Sequence, residues 1–161
     1  MDSKRNKISE TDKLLREAEL HEEEGNFRAA FECLLAGANL GDSSCQVNLG
    51  NFYATGNGVR KNLKKAAYWY KKAYKNGSSC GALNLAIDRR NEGDVRSATI
   101  WFKKAIAMND GQACIQLAKM YKNRKGGQKT AMDLLRQAQR LEISEASEEE
   151  AEALLKELTK T

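Results

Sequence analysis

Leu49-Gly50-Asn51-Phe52-Tyr53-Ala54-Thr55-Gly56-Asn57-Gly58-Val59, followed by Lys65-Ala66-Ala67-Tyr68-Trp69-Tyr70-Lys71-Lys72-Ala73 and Gly77, decides how this chain folds. It reads as helix, glycine turn, helix. The second helix recurs downstream: Ala66, Trp69 and Ala73 return as Ala98, Trp101 and Ala105, and as Ala131, Leu134 and Ala138. Spacings of three and four residues put each small-large-small set on one helix face. Small side chains there let a neighbouring helix approach, and the bulky one fills the gap beside it. The pattern is a packing code and carries no catalytic chemistry.

The run L-G-x-x-Y-x-x-G-x-G-V, then A-x-x-W-Y-x-x-A-x-x-x-G, resembles the Sel-one-like repeat, a relative of the tetratricopeptide repeat. Residues 43–77 match closely. The two later repeats lack the G-x-G-V loop, and the first is similar to an ordinary tetratricopeptide repeat. The resemblance implies an all-α, right-handed α/α solenoid of about four helix-turn-helix repeats with a C-terminal capping helix. It also implies an interaction scaffold without chemistry of its own.

Composition agrees with a chain that buries one core: 161 residues, 41% hydrophobic and 30% charged. One domain is expected. No apolar run approaches the roughly 20 residues of a membrane span, and the polar start Met1-Asp2-Ser3-Lys4-Arg5-Asn6-Lys7 lacks a signal peptide's apolar core. The expectation is a cytoplasmic protein with no membrane contact. Proline is absent, so glycine must end the helices, at Gly25, Gly41, Gly56 to Gly58, Gly77, Gly93, Gly111 and Gly126-Gly127. Cys33, Cys45, Cys80 and Cys114 show neither metal-site clustering nor a disulfide framework, and are expected to be small buried hydrophobes at repeat positions.

Taken in order, residues 1–7 read as a flexible leader and residues 8–161 as one repeat domain. Its repeats are expected at about 8–41, 42–77, 78–109 and 110–141, with a cap at 144–159. Glu24-Gly25-Asn26 and Glu92-Gly93-Asp94 share one design, a glycine ending one helix and Asn or Asp capping the next. Gly41, Cys45 and Leu49 align with Gly77, Gly81 and Leu85, and with Asn109, Ala113 and Leu117. Arg89 stands where Tyr53 and Tyr121 would be, which predicts a looser core or an outward side chain. Ser147-x-x-Glu150 is expected to open the capping helix.

Charge is uneven: net −4 over residues 1–59, +14 over 60–140 and −5 over 141–161. The basic block suits an acidic protein partner, and nucleic acid is a third reading. Against the latter, Trp69, Tyr70, Trp101 and Phe102 occupy packing positions and leave no stacking platform among the lysines. His21 is the only histidine, no nucleophile-base set assembles, and G-N-G-V lacks the G-K-[ST] of a phosphate loop. No enzyme, cofactor, metal or small-molecule substrate is expected. The resemblance implies binding on the concave wall lined by the first helix of each pair. Val47, Asn48 and Asn51, then Leu83, Asn84 and Ile87, then Ile115, Gln116 and Lys119, with Glu19 in the first repeat, are the expected partner-binding positions. The function expected is a protein-interaction module, with a small immunity protein or inhibitor as the alternative.

Overall fold

The computed structural model describes residues 9–141 and 143–160. The expected leader, residues 1–7, lies outside them. Among the described residues there are nine α-helices and no strand. They are α1 (Glu10–Glu23), α2 (Phe27–Asn39), α3 (Ser43–Thr55), α4 (Leu63–Lys75), α5 (Ser79–Asn91), α6 (Val95–Ile106), α7 (Gly111–Lys122), α8 (Gln128–Ala138) and α9 (Glu145–Leu158). Residues up to Gly81 form one compact unit and residues from Ala82 form another.

The joints follow from the turn residues. Gly41, Gly77 and Asn109 occupy one repeat position, with φ of +96°, +90° and +63°. Asn is the side chain that best tolerates this left-handed region, so it replaces glycine there. After each, an amide reaches back over the helix end: Asp42 to the Gly37 carbonyl, Ser78 to Ala73 and Asp110 to Ala105. Asn26 to His21 and Asp94 to Arg89 repeat the bond after Gly25 and Gly93. The next helix is then capped by a side chain, as by Asn26, Asp42, Asn62, Asp94 and Asp110.

In the first unit α1 packs on α2, α2 on α3 and α3 on α4, and α1 also touches α3. In the second, α6 packs on α7, α7 on α8, and α9 on both α8 and α7. In α6 and α8 the enclosed bulky residue lies one position later than the sequence suggested, and in α4 the expected Trp69 is buried together with Tyr70. The fully enclosed residues are Leu34, Tyr70, Phe102 and Leu135, whereas Trp101 and Leu134 are half-buried and Trp69 lies at the edge of the core. Gly50 explains the choice in α4. A Cβ there would lie 2.6 Å from a Tyr70 ring carbon, so the bare backbone is the surface on which that ring rests.

Two other expectations change, and a third is narrowed. The capping helix opens at Ser144, whose Oγ accepts from the Ser147 amide, one turn before the expected Ser147. Arg89, expected either to loosen the core or to point outward, is half-buried and pairs with Glu92 at 2.6 Å. Cys45 and Cys114 are buried, but Cys33 is half-buried and Cys80 exposed. Burial, and then Asp42, pushes the Cys45 thiol up to about 12; burial, and then Asp110, pushes Cys114 up to about 11.

Two measurements check this core. Leu135→Ala should cost about 2–5 kcal/mol in urea unfolding, and Leu134→Ala less than half as much; equal losses would contradict the assigned packing position. A thiol reagent at pH 8 should label Cys80 at once, Cys33 more slowly, and Cys45 and Cys114 only on unfolding. Rapid labelling of all four in the native protein would show that Cys45 and Cys114 are not enclosed.

Candidate protein-binding surfaces

The expected wall positions differ in what they can offer a partner. Glu19 is exposed on α1, and Val47, Asn48 and Asn51 are half-buried on α3. Leu83, Asn84 and Ile87 are half-buried on α5, as are Gln116 and Lys119 on α7. Ile115 is fully buried in a cluster with Ala131, Leu135, Ala151 and Leu158. It packs toward the C-terminal helix and is not a contact residue, which corrects the sequence reading. The reason is geometric: the side of a first helix that turns away from its own partner must also receive the next element.

Much of the amide row is already engaged inside the chain. The Tyr70 hydroxyl donates to Asn51 Oδ1 at 2.8 Å, and Arg90 Nη1 donates to Gln116 Oε1 at 2.8 Å. Lys119 pairs with Glu150 of α9, and Lys122 with Glu157 at 2.6 Å. Val47 and Asn48, with Ser44, Ser78 and Cys80, line a shallow recess of about 200 Å³. A buried amide absent from the sequence reading, Gln46, donates to the Ala38 carbonyl at 3.0 Å and accepts from Asn76 Nδ2 at 3.0 Å. It ties α3 to the joint before it and to the end of α4. Its place beside Cys45, on the packed side of α3, was the available signal.

The second helices present a different surface. Aligning Ala30, Ala66, Ala98 and Ala131 makes Arg28, Lys64, Arg96 and Lys129 equivalent, so one outer position is basic four times. Four residues on stand Glu32, Tyr68, Ile100 and Asp133. In α2 and α8 that residue is a carboxylate which pairs with a neighbouring arginine, Glu32 with Arg28 at 3.2 Å and Asp133 with Arg136 at 3.7 Å. In α4 and α6 it is Tyr68 or Ile100, exposed to 58% and 48%. The outer face of α4 therefore reads Lys64, Tyr68, Lys71, Lys75, one stripe at helical spacing. Among the described residues none of these lysines forms an ion pair, while Lys65 and Lys72 lie over the Tyr53 and Trp69 rings at 5.1 and 4.8 Å.

Catalytic chemistry finds little to work with. His21 Nδ1 stands 3.5 Å from a Glu24 carboxylate oxygen without hydrogen-bond alignment. Burial, and then the Glu19 charge, raises the Glu22 carboxyl above its ordinary value. Among the described residues no three His, Cys, Asp or Glu side chains gather to hold a metal ion. No described helix is long and apolar enough to cross a membrane.

The Sel1 repeat model matches residues 22–42, 43–78 and 89–110. No curated protein matches the chain in sequence. Among solved structures, a Sel1 repeat protein from Oxalobacter formigenes is similar at 19% identity and a TM-score of 0.69, over 86% of this chain and 61% of that one. A protective antigen of uropathogenic Escherichia coli displaying this repeat fold is similar at 14% identity and a TM-score of 0.70, over 94% of this chain and 38% of the antigen. An immunity protein from Pseudomonas aeruginosa is similar at 22% identity and a TM-score of 0.60, over 80% and 52%. The chain thus spans between about two fifths and three fifths of each of these proteins. Repeats of this kind generally mediate protein–protein interaction. With its glycine-jointed helix pairs, all-α repeat-solenoid class and three matched repeats, the chain belongs to the Sel1-repeat family.

Proposed function

We propose that the chain is a non-enzymatic module that binds an acidic protein partner through the outer face of α4. The observation that carries this is that exposed Tyr68 stands in α4 where α2 and α8 carry a self-neutralising carboxylate. An aromatic residue framed by lysines that form no ion pair among the described residues is what a hot spot for an acidic surface requires. The solvated alternative, a face of charge alone, would not expose a tyrosine at its centre.

The amide wall is the weaker candidate surface, because Asn51 and Gln116 are engaged within the chain. Four free cysteines favour a reducing, cytoplasmic setting. A narrower form of the proposal is neutralisation of a toxin or effector. The Pseudomonas aeruginosa immunity protein supports it only in sharing the fold.

The test begins with the partner that copurifies with the tagged chain from its native host. Tyr68→Ala should weaken its binding by about 2 kcal/mol or more. Lys71→Glu with Lys75→Glu should cut the association rate at least tenfold, with strong salt dependence. If both variants bind as the parent does while Asn48→Ala does not, the wall is the site. If the captured ligand is nucleic acid, with affinity falling linearly in logarithmic salt, the protein-binding reading is wrong. A partner whose toxicity is relieved by coexpression would establish the inhibitor form.

A further inference from the structure

The loop that joins α3 to α4 does more than turn the chain. Gly58, at φ +62°, lies with its bare Cα against the Phe27 backbone, where any side chain would overlap the Phe27 carbonyl group. This contact lays the loop across the start of α2 and leaves an open cleft of about 680 Å³ between them. Phe31 and Leu35 of α2 and Val59 of the loop, all half-buried, form its apolar floor. Phe31 is held from beneath, its ring edge-on to Tyr53 at 5.5 Å.

The cleft's rim is charged. Arg28 is paired with Glu32 at 3.2 Å, but both side chains are largely exposed, 80% and 65%, and such a pair holds weakly. Arg60 on the opposite rim forms no ion pair among the described residues. The backbone N–H groups of Gly58, Val59 and Arg60 likewise donate to no acceptor among them. Unused main-chain donors, an apolar floor and one unneutralised guanidinium lie together in a space of ordinary ligand size.

We propose that this cleft receives an extended acidic segment of a protein partner. An aliphatic side chain settles on Phe31, Leu35 and Val59, a neighbouring carboxylate pairs with Arg60, and the loop N–H groups bond the segment's carbonyls. The inference rests on the protein-binding reading above and names a second contact with its chemistry. A nucleic-acid strand suits the cleft poorly. Glu32 repels a continuous polyanion, and a single ring, Phe31, gives successive bases no stacking platform. In the empty cleft Glu32 competes with the ligand for Arg28, so removing its charge should strengthen binding.

The experiment is a selection of random dodecapeptides displayed on phage against the immobilised full chain, followed by anisotropy with the synthesised consensus. Enrichment of aliphatic residues beside Asp or Glu is expected. Arg60→Glu should weaken the peptide at least tenfold, and Glu32→Gln should tighten it severalfold. Replacing the peptide's carboxylates by amides should match the Arg60→Glu loss. Circular dichroism melting should show both variants folded as the parent is. Selected peptides without acidic residues, equal binding to Arg60→Glu, or no selected peptide would each overturn the proposal. Peptides lost on Lys71→Glu but kept on Arg60→Glu would overturn the cleft and leave the protein-binding reading standing. A cleft-bound acidic peptide, with only nucleic acid copurifying from the host, would do the reverse.

Discussion

The ring of Tyr70 resting on the bare backbone of Gly50 sets how closely α4 approaches α3. Its hydroxyl is then delivered to Asn51 Oδ1. Contact this close needs a residue without a side chain opposite a large flat one, with Ala66 and Ala73 on either side. Once the packed face of α4 is fixed by these three residues, the opposite face is fixed as well. At 100° per residue, Lys64, Tyr68, Lys71 and Lys75 lie nearly half a turn from Ala66, Tyr70 and Ala73. Packing thus decides which side chains meet solvent, and the exposed stripe is a consequence of the core.

The same helix pattern recurs, so most of the architecture was legible in the sequence. Gly41, Gly77 and Asn109 mark one joint three times, and the asparagine is readable because few other side chains accept its backbone conformation. What was misread lies one position, or one helical turn, away. Trp69 and Tyr70 are adjacent aromatics on either side of the packed direction, and a helix wheel on α4 alone cannot tell which one meets a glycine. Ser144 and Ser147 are one turn apart and either could start α9. The acidic run Glu148 to Glu150 drew attention to the later one.

The binding surface was harder to read, for a reason rooted in stacking. A first helix has three neighbours: its partner, the preceding repeat and the following one. Ile115 is expected on the wall, yet it is fully buried in one cluster with residues of α8 and α9. Lys119 and Lys122 looked like contributors to a basic field, yet Glu150 and Glu157 of α9 neutralise them. Sequence charge totals therefore overstate the field at the C-terminal end and understate how selectively it survives on α4. Nor could composition show that the glycine loop, through Gly58, would open a cleft beside Arg60.

The central claim is that unpaired lysines on the outer face of α4 meet carboxylates of a protein partner. Carbodiimide joins amines to carboxylates only where they touch, so cross-linking the copurified complex and locating the joined residues by mass spectrometry tests it most directly. The account predicts links from Lys64, Lys71 or Lys75 to Asp or Glu of the partner. Links confined to lysines outside this face, with Lys64, Lys71 and Lys75 all unmodified by the partner, would contradict it.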